Sequence, residues 1–474
     1  MSINSDTSTK DNNENEIIEK LKVTTLLTGY QNENNNYLKI VFSKSIKINI
    51  LIIICFILFF ISEFFFREPL FEYSKTFEGN WQNKTSNSTI IFFKIITKVG
   101  GEYMMAAPVA FVLLFFSLIK SSFYISGLIF LLHFHSLMKI WYGNKRPFWE
   151  VNSLYKGICD GGFGNPSGHS ISSVYLYLTL FAYLNETKIL KNKILIKIIL
   201  FLFFSTLTIL IILSRLILGI HSSNQVIYGS ILGMFVSLLI VQIFKFHQMP
   251  ISFYKNFFKE KIKIFIISFI LIGLVILSIC SSLYFNSNFD YDYYDGILTK
   301  LCNLPKYRKF NYDGLFGAFV ILSLLGMYFG QIIFWFLIDN YYKNNKSQEI
   351  ESLIYSEEMD DSKEYLDENN NNKLDDIINN WNKNRYFMYC STNKVLKLLI
   401  ILIICCCPII LFIKVSKENN LAVIFIFKFG IPFFLSLFFL YSFGFYYIIK
   451  IFCGENYELL KRAKETIKNK YDIN

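Results

Sequence analysis

The chain has 474 residues, of which 53% are hydrophobic and 18% aromatic, and its formal net charge is +11. This composition is too apolar for an ordinary soluble protein. Lys and Arg are spread over the short connections between apolar segments, so the positive charge indicates residues that flank membrane spans and excludes a nucleic-acid-binding patch. We expect an all-α, polytopic membrane protein, because backbone in a bilayer must satisfy its own hydrogen bonds.

The apolar segments follow a polar tail. Residues 1–45 are rich in Asn and charged residues and lack the apolar core of a signal peptide, so we expect a disordered tail and a first span that acts as the anchor. About ten segments then have the roughly 20-residue length that crosses a bilayer as a helix. The predicted spans are 47–66, 102–119, 121–138, 171–188, 194–213, 226–244, 263–285, 313–338, 397–415 and 421–449.

These spans divide the chain into regions of different character. Residues 339–395 contain the acidic, Asn-rich run SEEMDDSKEYLDENNNNKLDD, which predicts a solvated, disordered loop. No internal repeat is visible, which weakens the interpretation as a transporter. The remaining regions are 46–100 with the first span and the loop after it, 101–250 as a helical core, 251–338 with additional spans, 396–450 with the C-terminal spans and 451–474 as a polar tail.

Three short polar stretches interrupt the apolar pattern: KIWYGNKRP, NPSGHS and SRLILGIHSSNQ. The first two share the loop after the third predicted span, and the third stretch follows the fifth span. Because two membrane crossings separate the two loops, all three stretches are predicted on one side of the membrane. The candidate site residues in these stretches are Lys139, Arg146, Ser167, Gly168, His169, Arg215 and His221.

A group of fixed cations without a shared carboxylate suits a polyanionic ligand. Arg forks match phosphate oxygens and Lys adds a point charge, while backbone N–H groups at the start of the fourth span, near Ser167 and Gly168, also favour an anion. Of two histidines, one can attack phosphorus and the other can protonate the leaving oxygen. The stretches contain no Asp/Glu/His cluster for a metal, so the pattern predicts phosphoryl transfer without a metal or other cofactor.

These stretches resemble the motifs of the type 2 phosphatidic acid phosphatase superfamily, which includes glucose-6-phosphatases, sphingosine-phosphate phosphatases and vanadium haloperoxidases. The family pattern is KxxxxxxRP, PSGH and SRxxxxxH, and about residues 100–245 of the chain follow it in this order. The resemblance implies a six-helix membrane core and a phosphohistidine intermediate. It implies that His221 is the nucleophile, that His169 is the general acid, and that the phosphate is held by Lys139, Arg146, Ser167, Gly168 and Arg215.

One position departs from the family pattern. Many members carry Asp four residues after the nucleophile, where this chain has Gln225. An amide oxygen can still accept the imidazole N–H, without the charge, so we expect Gln225 to orient His221. The glucose-6-phosphatase branch resembles the chain at this position and in the stretches CDGGFGNPSGH and RPFWE.

The resemblance implies an integral membrane phosphomonoesterase and leaves its substrate open. A site at helix ends near the interface favours a lipid phosphate, such as phosphatidate, lysophosphatidate or a sphingoid-base phosphate. The features shared with glucose-6-phosphatase favour a small phosphate ester such as a sugar phosphate. A non-catalytic relative that binds or transports lipid is the third alternative, and no feature indicates the oligomeric state.

With ten spans, both termini lie on the same side of the membrane. Placing them in the cytosol leaves a modest excess of Lys and Arg near the cytosolic ends of the spans, and this bias predicts the orientation. The site then faces the lumen or the cell exterior, in the endoplasmic reticulum, the endosomal system or the plasma membrane. Asn83 and Asn87 become candidate glycosylation sites in the first lumenal loop. Cys159 and Cys302 face the same side and form a candidate disulfide.

Two further features lie outside the motifs. His133 and His135 fall within the third predicted span and match no motif position, so we expect them to pack between helices. The Phe-rich run FFISEFFF, at the end of the first span, is predicted to face lipid.

Overall fold

The computed structural model describes residues 47–48, 50–100, 102–116, 118–158, 162–187, 190, 192–246, 257–288, 296, 299–300, 310–344 and 431–444. Within these ranges the regular structure is helical and no strand occurs, which confirms the all-α fold. In chain order the helices are α1 (Ile50–Lys84), α2 (Asn87–Val99), α3 (Glu102–Phe115), α4 (Leu118–Tyr142), α5 (Pro147–Glu150), α6 (Gly168–Asn185), α7 (Ile194–Ile217), α8 (Ser223–Phe246), α9 (Lys261–Asn288), α10 (Phe310–Asn344) and α11 (Ile431–Phe439). A 3-10 turn (Asn152–Leu154) follows α5, and a π turn (Leu440–Gly444) follows α11.

Six helical segments in the described part of the chain are long and apolar enough to cross a membrane, as expected for a multi-pass membrane protein. Two predicted spans, 102–119 and 171–188, correspond to α3 and α6, which are not among the six. The predicted span 397–415 lies outside the described residues, and 421–449 is described only over 431–444. The six segments are Ile50–Lys84, Ile119–Glu150, Ile194–Ile217, Ser223–Gln242, Lys261–Phe285 and Phe316–Leu337.

Helix α1 is longer than the sequence predicts, because it continues past residue 66 to Lys84 through a segment expected to be a loop. In this second half the buried residues Phe71, Ser74, Glu78 and Gln82 recur every three or four positions. This is the spacing of one helix face, so the segment stays helical by packing that face on the core. Helix α10 likewise passes the predicted boundary at 338 and ends at Asn344.

Helix α8 approaches α6 closely, and this contact fixes the start of α6. Gly229 and Gly233 lie one turn apart on α8 and face α6. A Cβ atom would lie 2.7 Å from the Ser167 carbonyl oxygen at Gly229 and 2.5 Å from the Ile171 carbonyl oxygen at Gly233. Small residues let helix backbones meet in this way inside a membrane. The contact holds the NPSGHS stretch against the helix that follows SRLILGIH.

The additional helices α9 and α10 pack on α4, and Ser281 of α9 accepts a hydrogen bond from Trp141 Nε1 at the end of α4 at 3.2 Å. His133 Nδ1 lies 3.1 Å from the Gly317 carbonyl oxygen, and the Gly317 N–H donates to Ser136 Oγ at 3.1 Å. Ser278 Oγ on α9 lies 3.3 Å from the same His133 nitrogen. His133 therefore contributes to helix packing, as the sequence predicts.

Candidate active site

Arg146 joins two loops from the interior of the protein. Its side chain is fully buried, and Pro147 begins the short helix α5 directly after it. Its Nε donates to the Gly162 carbonyl at 2.5 Å, and Nη2 donates to the Phe163 carbonyl at 3.3 Å. Its Nη1 donates to the Ile220 carbonyl at 3.2 Å. One guanidinium thus fixes the chain before NPSGHS and the chain before His221.

The ring of His221 has one defined tautomer. Its Nδ1 lies 2.8 Å from the Gly164 carbonyl oxygen and 3.1 Å from Gln225 Oε1. Both partners are acceptors, so Nδ1 carries the hydrogen and the neutral ring has its lone pair on Nε2. The Nη1 of Arg146, which can only donate, lies 3.0 Å from this Nε2. The nitrogen that the sequence predicts to be the nucleophile therefore points at a cation.

Gln225 is held in the orientation that this tautomer requires. Its side chain is buried, and its Nε2 donates to the Lys145 carbonyl at 2.7 Å. Its Oε1 therefore faces His221, and it also accepts from the Ser222 N–H at 3.3 Å. A Cβ atom at Gly164 would lie only 2.4 Å from the Gln225 amide, so a larger residue there would displace this amide. Gln225 lies where the sequence predicts it and contacts the predicted nucleophile.

The spacing between Arg215 and His221 comes from the end of α7. Gly219 has φ +68, a left-handed conformation that glycine adopts without strain. The Ile220 N–H donates to the Arg215 carbonyl and the Gly219 N–H donates to the Leu216 carbonyl, which is a Schellman ending. The His221 N–H reaches the same Arg215 carbonyl at 3.2 Å. The glycine in SRLILGIH therefore turns His221 back over the last turn of α7.

The NPSGHS stretch begins α6, with Ser167 as its buried N-cap residue. The Ser167 N–H donates to the Gln225 carbonyl at 3.0 Å, so this N–H is used inside the protein, whereas the sequence predicts that it faces an anion. A Cβ atom at Gly168 would lie 2.9 Å from His135 Nε2, so His135 packs on this turn. His169 is half-buried, and its ring lies close to Gly100 at the end of α2.

The other two predicted cations are also buried. Arg215 lies on the last turn of α7, and its Nη1 donates to Thr97 Oγ1 on α2 at 2.8 Å. Lys139 lies on the last turn of α4, in the same polar stretch as Arg146. The structure thus brings Arg146, His221 and Gln225 into direct contact and joins Arg215 to them through the backbone.

Three site residues were missed by the sequence analysis, and one of them comes from α1. Asn165 is fully buried, and its Nδ2 donates to Glu63 Oε1 at 2.8 Å and to Asn144 Oδ1 at 3.2 Å. The prediction that FFISEFFF faces lipid holds for its last three phenylalanines, which are exposed, but is wrong for Glu63, which is buried. A carboxylate inside an apolar run is costly in a bilayer, and this signal could have identified Glu63.

The second half of α1 contacts the chain around His221 through side-chain hydrogen bonds. The Ser223 N–H donates to Ser74 Oγ at 2.7 Å, and this hydroxyl donates to Glu78 Oε1 at 2.6 Å. Gln82 Nε2 donates to the Ile217 carbonyl at 2.8 Å, near the end of α7. Helix α1 therefore holds the chain on both sides of His221.

The remaining predictions concern the glycosylation sites, the disulfide and a metal site. Asn83, near the end of α1, and Asn87, at the start of α2, are both exposed. Cys159 and Cys302 lie outside the described residues, so their pairing stays a prediction. Within the residues that the structure describes, no group of three or more His, Cys, Asp or Glu side chains is arranged to hold a metal ion.

One comparison with known proteins, a family model, agrees with the resemblance that the motifs carry. Residues 121–249 match the family model of the PAP2 superfamily, and all three polar stretches lie inside this segment. A solved structure, a transmembrane PAP2-type phosphatidylglycerolphosphate phosphatase from Bacillus subtilis, is similar at 16% sequence identity and a TM-score of 0.35. The likeness covers 40% of this chain and 97% of that chain. No curated protein matches the chain.

Proposed function

Because residues 121–249 match the PAP2 superfamily, we propose that this membrane protein is a phosphatase that hydrolyses a phosphate monoester through a phosphohistidine at His221. The observation that carries the proposal is the contact of Arg146 Nη1 with His221 Nε2 at 3.0 Å. Nδ1 holds the ring hydrogen toward Gly164 and Gln225, so the nucleophile is the Nε2 lone pair, which accepts from Arg146 Nη1 until the phosphate oxygens take over this Arg146 N–H. A phosphorus atom attacked by Nε2 would therefore carry its oxygens into the reach of Arg146.

In the first step His221 Nε2 attacks phosphorus, so that a P–N bond forms and the P–O ester bond breaks. The leaving oxygen takes a proton from His169, which we assign as the general acid. During this step the Nδ1 hydrogen stays on the ring, and the positive charge of the imidazolium is stabilised by the Gly164 carbonyl and the Gln225 amide oxygen. Gln225 supplies this stabilisation through the dipole of its amide, at the position where many members of the family carry the carboxylate of an Asp.

In the second step water attacks phosphorus, the P–N bond breaks, and inorganic phosphate leaves. His169, now neutral, takes a proton from the water and returns to its starting form. Charge on the equatorial phosphoryl oxygens is the main feature to stabilise in both steps. We assign this role to Lys139, Arg146 and Arg215, with Ser167 and Gly168 at the start of α6. The proposed chemistry uses no metal and no cofactor.

A lipid phosphate is the substrate class that we propose. Helix α7 carries large apolar side chains that are exposed along most of its length, as expected for a helix in contact with lipid, and its last turn carries the buried Arg215. The phosphate of a membrane lipid lies where spanning helices end, which is the level at which Arg215 lies on α7. Phosphatidate, lysophosphatidate and sphingoid-base phosphates fit this description. We place the site on the lumenal or extracellular face.

The test is phosphate release by membranes that carry the protein, measured in EDTA beside His221→Ala at equal expression. The substrates are phosphatidate, sphingosine phosphate and glucose 6-phosphate. We expect release from a lipid phosphate that survives EDTA and is lost in the variant. A radiolabelled phosphoryl group should be trapped on the wild-type protein in an acid-labile, alkali-stable form, because the P–N bond of phosphohistidine is cleaved by acid.

Each outcome separates the alternatives. Preference for glucose 6-phosphate would replace the lipid substrate by a sugar phosphate while keeping the mechanism. Activity that disappears in EDTA would contradict the metal-independent reaction. Wild-type membranes that equal His221→Ala on every substrate would contradict catalysis and favour a lipid-binding or transport protein.

A further inference from the structure

Glu63 is a charged side chain in the apolar part of α1, outside the segment that matches the family model. It is 6% exposed, whereas the neighbouring Phe64, Phe65 and Phe66 are more than half exposed. Burying a carboxylate inside a membrane protein is costly, and such residues usually have a specific partner. The partner here is the amide of Asn165, whose Nδ2 lies 2.8 Å from Glu63 Oε1.

Aromatic side chains hold α1 in the position that this contact needs. Phe56 stacks on Phe235 of α8 with 4.1 Å between ring centroids, and Phe59 stacks on Tyr228 at 5.9 Å. The Arg67 guanidinium lies 5.0 Å from the centre of the Tyr142 ring, at the end of α4. These contacts lie on both sides of Glu63 along α1, so the carboxylate has little freedom to move away from Asn165.

Asn165 connects this carboxylate to the nucleophile. The same Nδ2 donates to Asn144 Oδ1, which precedes Arg146 in the first polar stretch. The backbone neighbour of Asn165 is Gly164, whose N–H donates to the Asn144 carbonyl at 2.8 Å. The carbonyl of Gly164 accepts the Nδ1 hydrogen of His221. A displacement of Asn165 therefore moves the acceptor that fixes the His221 ring.

We propose that Glu63 is a positioning residue for the phosphatase reaction. It acts as the hydrogen-bond acceptor that orients Asn165, and through Gly164 it holds His221 Nε2 in line with the bound phosphoryl group. This inference rests on the proposed function, since it concerns the rate at which His221 attacks phosphorus. It assigns a catalytic-site role to α1, which lies outside residues 121–249.

The role of Glu63 is tested by the rate constant of phosphoenzyme formation on a lipid phosphate, measured in a rapid-quench experiment on the full-length protein in detergent. This rate constant does not depend on how much of a sample is folded, so a variant that only lowers the folded fraction leaves it unchanged. The variants are Glu63→Ala, which removes the acceptor, and Glu63→Gln, which keeps an acceptor oxygen. Glu68→Ala is the matched control, because this α1 side chain is 67% exposed.

We expect Glu63→Ala to lower the rate constant by about tenfold to a hundredfold, because a misplaced reacting group costs roughly that much for shifts near 1 Å. KM should change by less than about twofold, since Glu63 does not touch the phosphate. Glu63→Gln should keep at least about a third of the wild-type rate constant, and Glu68→Ala all of it. The loss in Glu63→Ala combined with Asn165→Ala should be smaller than the two single losses multiplied together, because the two side chains share the Glu63–Asn165 hydrogen bond.

A wild-type rate constant in Glu63→Ala, with wild-type activity present and lost in His221→Ala, would overturn this inference and leave the proposed function intact. Equal losses in Glu63→Ala and Glu63→Gln would also overturn it, because an acceptor oxygen would then not be the feature that matters. A wild-type protein without phosphatase activity would overturn both proposals.

Discussion

Replacing Arg146 by Lys tests whether its guanidinium supports the site as well as the phosphate. Arg146 donates to the carbonyls of Gly162, Phe163 and Ile220 from three different nitrogens. A lysine ammonium is a single point with a different reach, so it can replace about one of these bonds. Loss of two charge-assisted hydrogen bonds, each contributing about 1.5–3 kcal/mol, should lower the free energy of unfolding by about 3–6 kcal/mol.

The assay is thermal unfolding in detergent, followed by intrinsic fluorescence, together with phosphate release measured well below Tm. We expect Arg146→Lys to lower Tm by about 5 °C or more and to lower kcat/KM by at least about a hundredfold. Lys145→Gln is the adjacent control, because Lys145 forms a 3.1 Å ion pair with Glu150 and its side chain is 45% exposed. Such surface pairs contribute about 0–1 kcal/mol. A Tm of Arg146→Lys equal to the Tm of Lys145→Gln would refute the reasoning.

Three other substitutions test the geometry. Gln225→Leu should slow phosphoenzyme formation by about tenfold, because His221 Nδ1 keeps only the Gly164 carbonyl as a partner; an unchanged rate constant would contradict the orienting role. Gly219→Ala should lower the free energy of unfolding by at least about 1–2 kcal/mol, because an alanine is strained at φ +68 and its Cβ atom would lie 2.5 Å from the Leu154 carbonyl oxygen. A Tm equal to that of the wild type would argue against the left-handed turn at the end of α7. Asn83→Gln and Asn87→Gln should each remove one glycan from protein made in eukaryotic cells. Each variant should therefore migrate faster on a gel and show a smaller mobility shift on endoglycosidase treatment. Unchanged mobility in both variants would count against a lumenal first loop.

The motif residues could be predicted because their spacing is local. Lys139 and Arg146 share one stretch, and Arg215 and His221 share another, so the order of the residues already restricts how far apart they can lie. The parity of the spans then places the stretches on one side of the membrane. Gln225 was found through the family resemblance, which implies an orienting residue four positions after His221, and its amide contacts the His221 ring.

The role of α1 could not be predicted, because it depends on partners far away in the sequence. Glu63 and Asn165 are separated by 102 positions, and Ser74 and Ser223 by 149. The apolar run that contains Glu63 predicts a lipid-facing span, and the more polar segment after residue 66 predicts a loop. The structure instead buries Glu63 and one face of the second half of the helix, because the side chains there find hydrogen-bond partners next to NPSGHS and next to His221.

The sequence by itself determined that this is a helical membrane protein with a cationic, histidine-containing site, because apolar runs of bilayer length must become helices and because the motif spacings are local. The tertiary structure decided how that site is held. It uses Arg146 to bind three backbone carbonyls, gives His221 a single tautomer through Gly164 and Gln225, and adds Glu63 from the first helix. These features depend on the packing of distant helices, which fixes the directions of individual donors and acceptors and leaves no trace in the local pattern.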